Sequence, residues 1–134
     1  MTKTLLKIIA LIFITHITIS QNLTQLAKLK PQGEYDNVKV QKVYSDKHTS
    51  SFVIWIKKGV KAHKHLKHTE QVYILAGKGI MQLNGKTFTV KKGDWIPIPQ
   101  GSVHAVKVTS RKPLQVLSVQ TPEFLGKDRV WVKE

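Results

Sequence analysis

From Val38 to Gln120 the chain runs in short stretches where apolar and polar residues alternate, with turn-forming residues between them. The runs are VKVQKVY (38–44), SFVIWIKK (51–58), EQVYILAG (70–77), GIMQLN (79–84), KTFTVKK (86–92), VHAVKVTS (103–110) and PLQVLSVQ (113–120). A period of two, rich in β-branched and aromatic residues, is the mark of strands with one face buried. Nothing in this region holds the 3.6-residue period of an amphipathic helix. Asn84-Gly85, between two such runs, is a strong signal for a two-residue hairpin turn. Seven or more short strands in about a hundred residues predict an all-β sandwich or barrel.

The residues ahead of this region read differently. Residues 1–20 have a positive start at Lys3 and Lys7, an apolar run from Ile8 to Thr15, and small residues Thr18 and Ser20 before Gln21. That is the layout of a cleaved export signal. A membrane anchor needs ~20 apolar residues, and His16 interrupts this run early. The expected product is therefore periplasmic or secreted, with no stable membrane span. Residues 21–36 form a polar segment in which Pro31 and Gly33 stop any helix. Residues 37–134 then make one β domain.

The 134 residues carry a formal net charge of +14 and no cysteine. Without cysteine there is no disulfide framework and no thiolate metal site. The basic residues are spread through alternating runs, which fits a solvated sheet face. No nucleic-acid-binding motif accompanies them.

The chemistry concentrates in His63-Lys-His-Leu-Lys-His-Thr-Glu70. His63 and His65 stand two apart, so on one strand they point to the same face, with Lys64 turned to solvent. Glu70 opens the next strand and can face the same interior. Two imidazoles and a carboxylate suit one divalent ion of Mn, Fe, Co, Ni or Zn. A further ligand must come from His48, His68 or His104. His104 stands out because it enters a strand directly after the tight turn Pro99-Gln-Gly101-Ser-Val. His48 sits in a polar turn and receives no role, and His68 is expected at the surface.

The segment HxHxxxxExxxxxxG, filled by His63, His65, Glu70 and Gly77, resembles the first cupin motif. The segment GxxxxxPxGxxH, filled by Gly93, Pro99, Gly101 and His104, resembles the second. Together they cover about residues 50–120, in the manner of small single-domain microbial cupins of the type-2 kind. The resemblance implies a double-stranded β-helix, or jelly-roll barrel, holding one divalent metal on His63, His65, Glu70 and His104. Two positions depart from the pattern. Lys57 stands where the first-motif glycine is usual, with Gly59 two residues later, and Val108 replaces a frequent asparagine. The first change bears on a turn, the second on hydrogen bonding at the far end of the barrel.

Four protein ligands leave open positions on a six-coordinate ion, which is the condition for Lewis-acid catalysis. Alternation places Val72 and Ile74 on the face of Glu70, with Tyr73 outward, and sends Val106 and Val108 inward beside His104. The facing of Trp55 and Gln82 is not fixed by alternation. Lys57, Lys58, Lys61, Lys64 and Lys67 can attract a small-molecule anion. A metal-dependent isomerase or lyase acting on a sugar or carboxylic acid is the favoured reading. A non-catalytic metal- or carbohydrate-binding module and an iron-dependent dioxygenase are the alternatives. Phe124, Val130 and Trp131 near the C-terminus can close the barrel end or meet a second copy in a homodimer.

Overall fold

The computed structural model describes residues 23–133, so the export signal expected over residues 1–20 lies outside the described residues. A single 3₁₀ turn at Leu26–Lys28 precedes ten strands. These are β1 (Val38–Asp46), β2 (Thr49–Ile56), β3 (Gly59–His65), β4 (Thr69–Ala76) and β5 (Lys78–Leu83). They continue as β6 (Lys86–Lys91), β7 (Trp95–Ile98), β8 (His104–Val108), β9 (Leu114–Thr121) and β10 (Arg129–Trp131). No α-helix occurs among the described residues, and no helix there is long and apolar enough to cross a membrane.

The strands form two five-stranded antiparallel sheets, ordered β1-β2-β9-β4-β7 and β10-β3-β8-β5-β6. Strands distant in sequence become neighbours, as in β4 with β9 and β3 with β8. This is the jelly-roll barrel that the alternation and the motifs predicted. Its interior is filled from alternate positions of facing strands: Ile56, Ile74, Met81, Val90, Ile98 and Leu114 are all buried there. Val72, Val106 and Val108 pack against this cluster, as the alternation predicted.

The outer face of the first sheet is also covered. Val53, Trp55 and Leu75 form a second buried cluster, against which Leu26, Leu29 and Tyr35 of the N-terminal segment pack. Trp55 therefore points away from the barrel interior, and Gln82 is exposed. Gln115 ties the segment down by donating from Nε2 to the Leu26 carbonyl at 3.0 Å. Lys57 adds a cation–π contact, its Nζ lying 4.2 Å from the Tyr35 ring centre.

Four strands differ from the sequence expectation. The run predicted over 51–58 ends at Ile56, because the chain turns at Lys57 and Lys58 into β3. β3, which carries His63 and His65, stood outside the seven predicted runs, as did the short β7 and β10. The departure at Lys57 is explained by the same turn. Gly59 packs so closely on β8 that a Cβ there would lie 2.4 Å from the Val106 carbonyl oxygen, so the glycine is needed at 59 rather than 57. Val108 instead packs its side chain against the core cluster, while its N–H donates to the Lys58 carbonyl at 2.8 Å.

Candidate metal centre

Each proposed ligand is delivered by a strand, and the strand pairing decides where it points. His63 on β3 lies directly opposite His104 at the start of β8. His65 follows two residues on and faces the same way. Glu70 comes from the other sheet, on β4, where it pairs with Ile98 on one side and Gln120 on the other. All four side chains are buried, at 2–6% exposure. The ring nitrogens of His63, His65 and His104 lie within 4.8 Å of one another.

Local hydrogen bonds set the orientation of two of the imidazoles. His63 Nδ1 bonds the Lys61 carbonyl at 2.8 Å, and His104 Nδ1 bonds the Ser102 carbonyl at 3.0 Å. A nitrogen that donates to a carbonyl carries the proton, so Nε2 of each ring is left with its lone pair free for a ligand. The segment before His104 is itself clamped by the β5–β6 hairpin. Asn84 donates to Ser102 Oγ at 3.1 Å and accepts from the Val103 N–H at 3.0 Å. Asn84 has a positive φ of 47°, as a turn of this kind requires. On the other side, the Gly101 N–H donates to the His65 carbonyl at 2.7 Å.

Glu70 is held with equal care. Its Oε1 accepts from Ser118 Oγ at 2.5 Å, leaving Oε2 3.2 Å from His104 Nε2 and 3.6 Å from His65 Nε2. Burial alone would raise the Glu70 pKa. The neighbouring His104 and His65 and the Ser118 hydroxyl outweigh it, so the carboxyl stays ionised well below the usual carboxylate range. His63 moves the opposite way for a base. Burial, with repulsion from His104, lowers its pKa to about 4, so the ring is neutral at neutral pH and able to act as a ligand.

The donor set fits a metal. Both ring nitrogens of His65, and Nε2 of His104, are buried without a hydrogen-bond partner. Buried imidazole nitrogens left unpaired are costly, and two of them, Nε2 of His65 and Nε2 of His104, lie beside the Glu70 Oε2, a donor set suited to a divalent ion of the kind imidazole favours. His63, His65, Glu70 and His104 are thus brought together as the sequence predicted. His68 is not where it was expected. It is buried at 6% exposure, with Nδ1 2.5 Å from Asp128 Oδ2 and Nε2 2.9 Å from the Glu123 carbonyl. Its place in the connection between strands suggested the surface, but the returning C-terminal segment covers it. His48 lies in the exposed β1–β2 turn.

The site opens onto a cavity of about 390 Å³ that runs into the barrel. Val38 and Val40 of β1 and Arg129 and Trp131 of β10 flank its mouth, on the edge strands of the two sheets. Lys61 is the one member of the first-motif lysine group that lines this cavity.

A two-sheet antiparallel barrel with a buried three-histidine cluster facing an open cavity defines a class of metal-site jelly rolls. The chain belongs to the cupin family: the model of the cupin domain matches residues 52–120. An uncharacterized protein of Aquifex aeolicus is 33% identical over 102 residues, covering 76% of this chain and 84% of that one. Among solved structures, KdgF from Halomonas sp. superposes with a TM-score of 0.66 at 15% identity, over 72% of this chain and 89% of that one. A single-substitution variant of Streptomyces Pac13 with uridine gives 0.64 at 14% identity, over 75% and 82%. At such identities the structural likeness is one of fold.

Proposed function

We propose that this chain is an exported metal-dependent cupin enzyme that acts on a small organic anion by Lewis-acid chemistry. The observation that carries the reading is the set of unpaired imidazole nitrogens beside an ionised carboxylate, at the wall of a cavity open to solvent. The proposed ligands are Nε2 of His63, His65 and His104 with Oε2 of Glu70. A divalent ion bound there would polarise a substrate carbonyl or carboxylate and acidify a bound water.

The chain's own residues supply position and charge. Ser118 fixes the Glu70 carboxylate, and the carbonyls of Lys61 and Ser102 fix the tautomers of His63 and His104. Arg129, with no ion-pair partner among the described residues, gives the mouth a positive charge suited to an anion. Export is supported by the layout of residues 1–20. An intact mass of envelope protein that retains Met1 to Ser20 would remove that part of the reading.

One observation favours the binding-module reading: beyond the ligand set, no further carboxylate or histidine among the described residues lines the cavity to act as acid or base. Turnover separates the two. Protein loaded in turn with manganese, iron, cobalt, nickel or zinc is offered a panel of uronic acids, keto sugars and simple carboxylates. The enzyme reading expects product with at least one metal, and loss of product in Glu70→Gln with metal retained. Binding of a panel member without product in every metal form would establish the module instead.

A further inference from the structure

Few polar side chains line the cavity. His63, Glu70 and His104 form one wall, and Lys61 and Arg129 stand near the mouth. The rest of the lining is aliphatic: Ile54, Ile56, Ile74, Met81, Leu114 and Val116. These residues lie on strands, so their backbone groups are engaged in the sheet ladders. Asn37, also at the mouth, is used up in the turn before β3. Its side chain accepts from the Lys58 and Gly59 N–H groups and donates to the Gly59 carbonyl. A volume of about 390 Å³ is in the range that takes a small organic ligand.

We propose that the cavity selects a monocarboxylate with an apolar body. The carboxylate lies between the histidine wall and Arg129, and the body lies against the aliphatic lining. The assignment rests on the metal-dependent reading above and narrows its substrate class, turning it away from polyhydroxylated sugar acids.

Two features support it. Arg129 pairs with His65 across β3 and β10, and Trp131 pairs with His63, so both side chains share the face of the ligand set. The Arg129 guanidinium lies over the Trp131 ring, 5.6 Å from its centre, and the Trp131 ring lies 5.5 Å from that of His63. A planar fork held against an indole beside the site matches a carboxylate. A hexuronate, in contrast, would bring several hydroxyls against a wall that offers no partner. Each unpaired buried hydroxyl weakens binding by about tenfold or more.

The test is calorimetric binding of hexanoate, 3-phenylpropanoate and galacturonate to protein loaded with manganese and to protein stripped of metal. Hexanoate or 3-phenylpropanoate should bind at least about tenfold more tightly than galacturonate. Arg129→Gln lies on an exposed edge strand, and circular dichroism checks that it folds. It should weaken hexanoate by about tenfold and leave the uncharged hexanol unchanged, with metal stoichiometry intact. Galacturonate binding as tightly as the apolar acids, no binding of any of the three, or an Arg129→Gln variant that binds hexanoate normally would each overturn the proposal. Failure of the metal reading looks different: tag-free protein takes up no metal, while Arg129-dependent binding of hexanoate to the stripped protein still supports the cavity assignment.

Discussion

Two histidines three positions apart, His65 and His68, have ring centres 6.3 Å apart and similar burial, yet opposite chemistry. Both pack edge-on against the ring of Phe124. His68 has each nitrogen engaged, one by the Asp128 carboxylate and one by the Glu123 carbonyl. Asp128 in turn accepts from the Leu66 and Lys67 N–H groups at 3.1 and 2.9 Å. His65 has neither nitrogen engaged. One histidine staples the C-terminal segment over the barrel end, and the other is kept bare in the interior. Missing partners single out His65 as the histidine that could take a metal ion, whereas burial and sequence neighbourhood are the same for both.

The sharpest way to break this contrast is to remove the bare ring. His65→Leu fills the space with an apolar side chain and deletes a ligand. Loss of groups that merely support ligands costs about 10–100-fold in metal affinity, so loss of a ligand should cost at least about 100-fold. Measured on metal-free protein, the same change should raise stability by about 1 kcal/mol, because two unsatisfied buried nitrogens disappear. Metal titration and urea unfolding of the stripped protein read the two effects separately. Unchanged metal affinity would remove His65 from the centre.

His68→Ala should behave in the opposite sense. It removes a charge-assisted hydrogen bond and a carbonyl contact that fasten residues 123–128, and it should cost about 2 kcal/mol of stability. The metal content should stay at the level of the parent. Urea unfolding together with metal analysis checks both halves. A variant that loses metal while unfolding at the same urea concentration would erase the distinction between the two sites.

The contrast also marks how far the sequence could be read. Alternation from 38 to 120 was enough for an all-β sandwich or barrel, the cupin motifs narrowed it to the jelly roll, and their spacing was enough to expect His63, His65, Glu70 and His104 side by side. β3 was missing from the alternating apolar runs because histidines take its inward positions 63 and 65, so its facing was legible from their spacing and its extent was not. Ser118, which fixes Glu70, was visible only in part. In PLQVLSVQ the positions 114, 116, 118 and 120 share one face, and two of them are polar. Their meaning depends on the pairing of Val72 with Ser118 and Glu70 with Gln120, between strands more than forty residues apart. The His68–Asp128 contact spans sixty residues and has no local trace at all. Local alternation predicts faces, but long-range register decides partners.

The smallest effect expected concerns His63, which unlike His65 and His68 stands beside the mouth, where Arg129 adds to the burial that lowers its pKa. The ordinary histidine value is 6.5 and the folded value is about 4. Between these, the unfolded chain takes up a proton that the folded chain does not, so stability rises with pH. The contribution is complete above about pH 6.5 and is lost progressively as pH falls to about 4. Glu70 acts lower: its contribution is complete above its ordinary value of 4.5 and is lost as pH falls below that towards its depressed folded value. Metal-free protein should therefore lose stability on acidification from pH 6.5 to 4, and His63→Gln should flatten that limb while leaving the more acidic transition in place. The effect is confined to this acid limb. Urea unfolding at half-unit pH steps measures it, and an unchanged slope in His63→Gln would assign the acid limb to other groups.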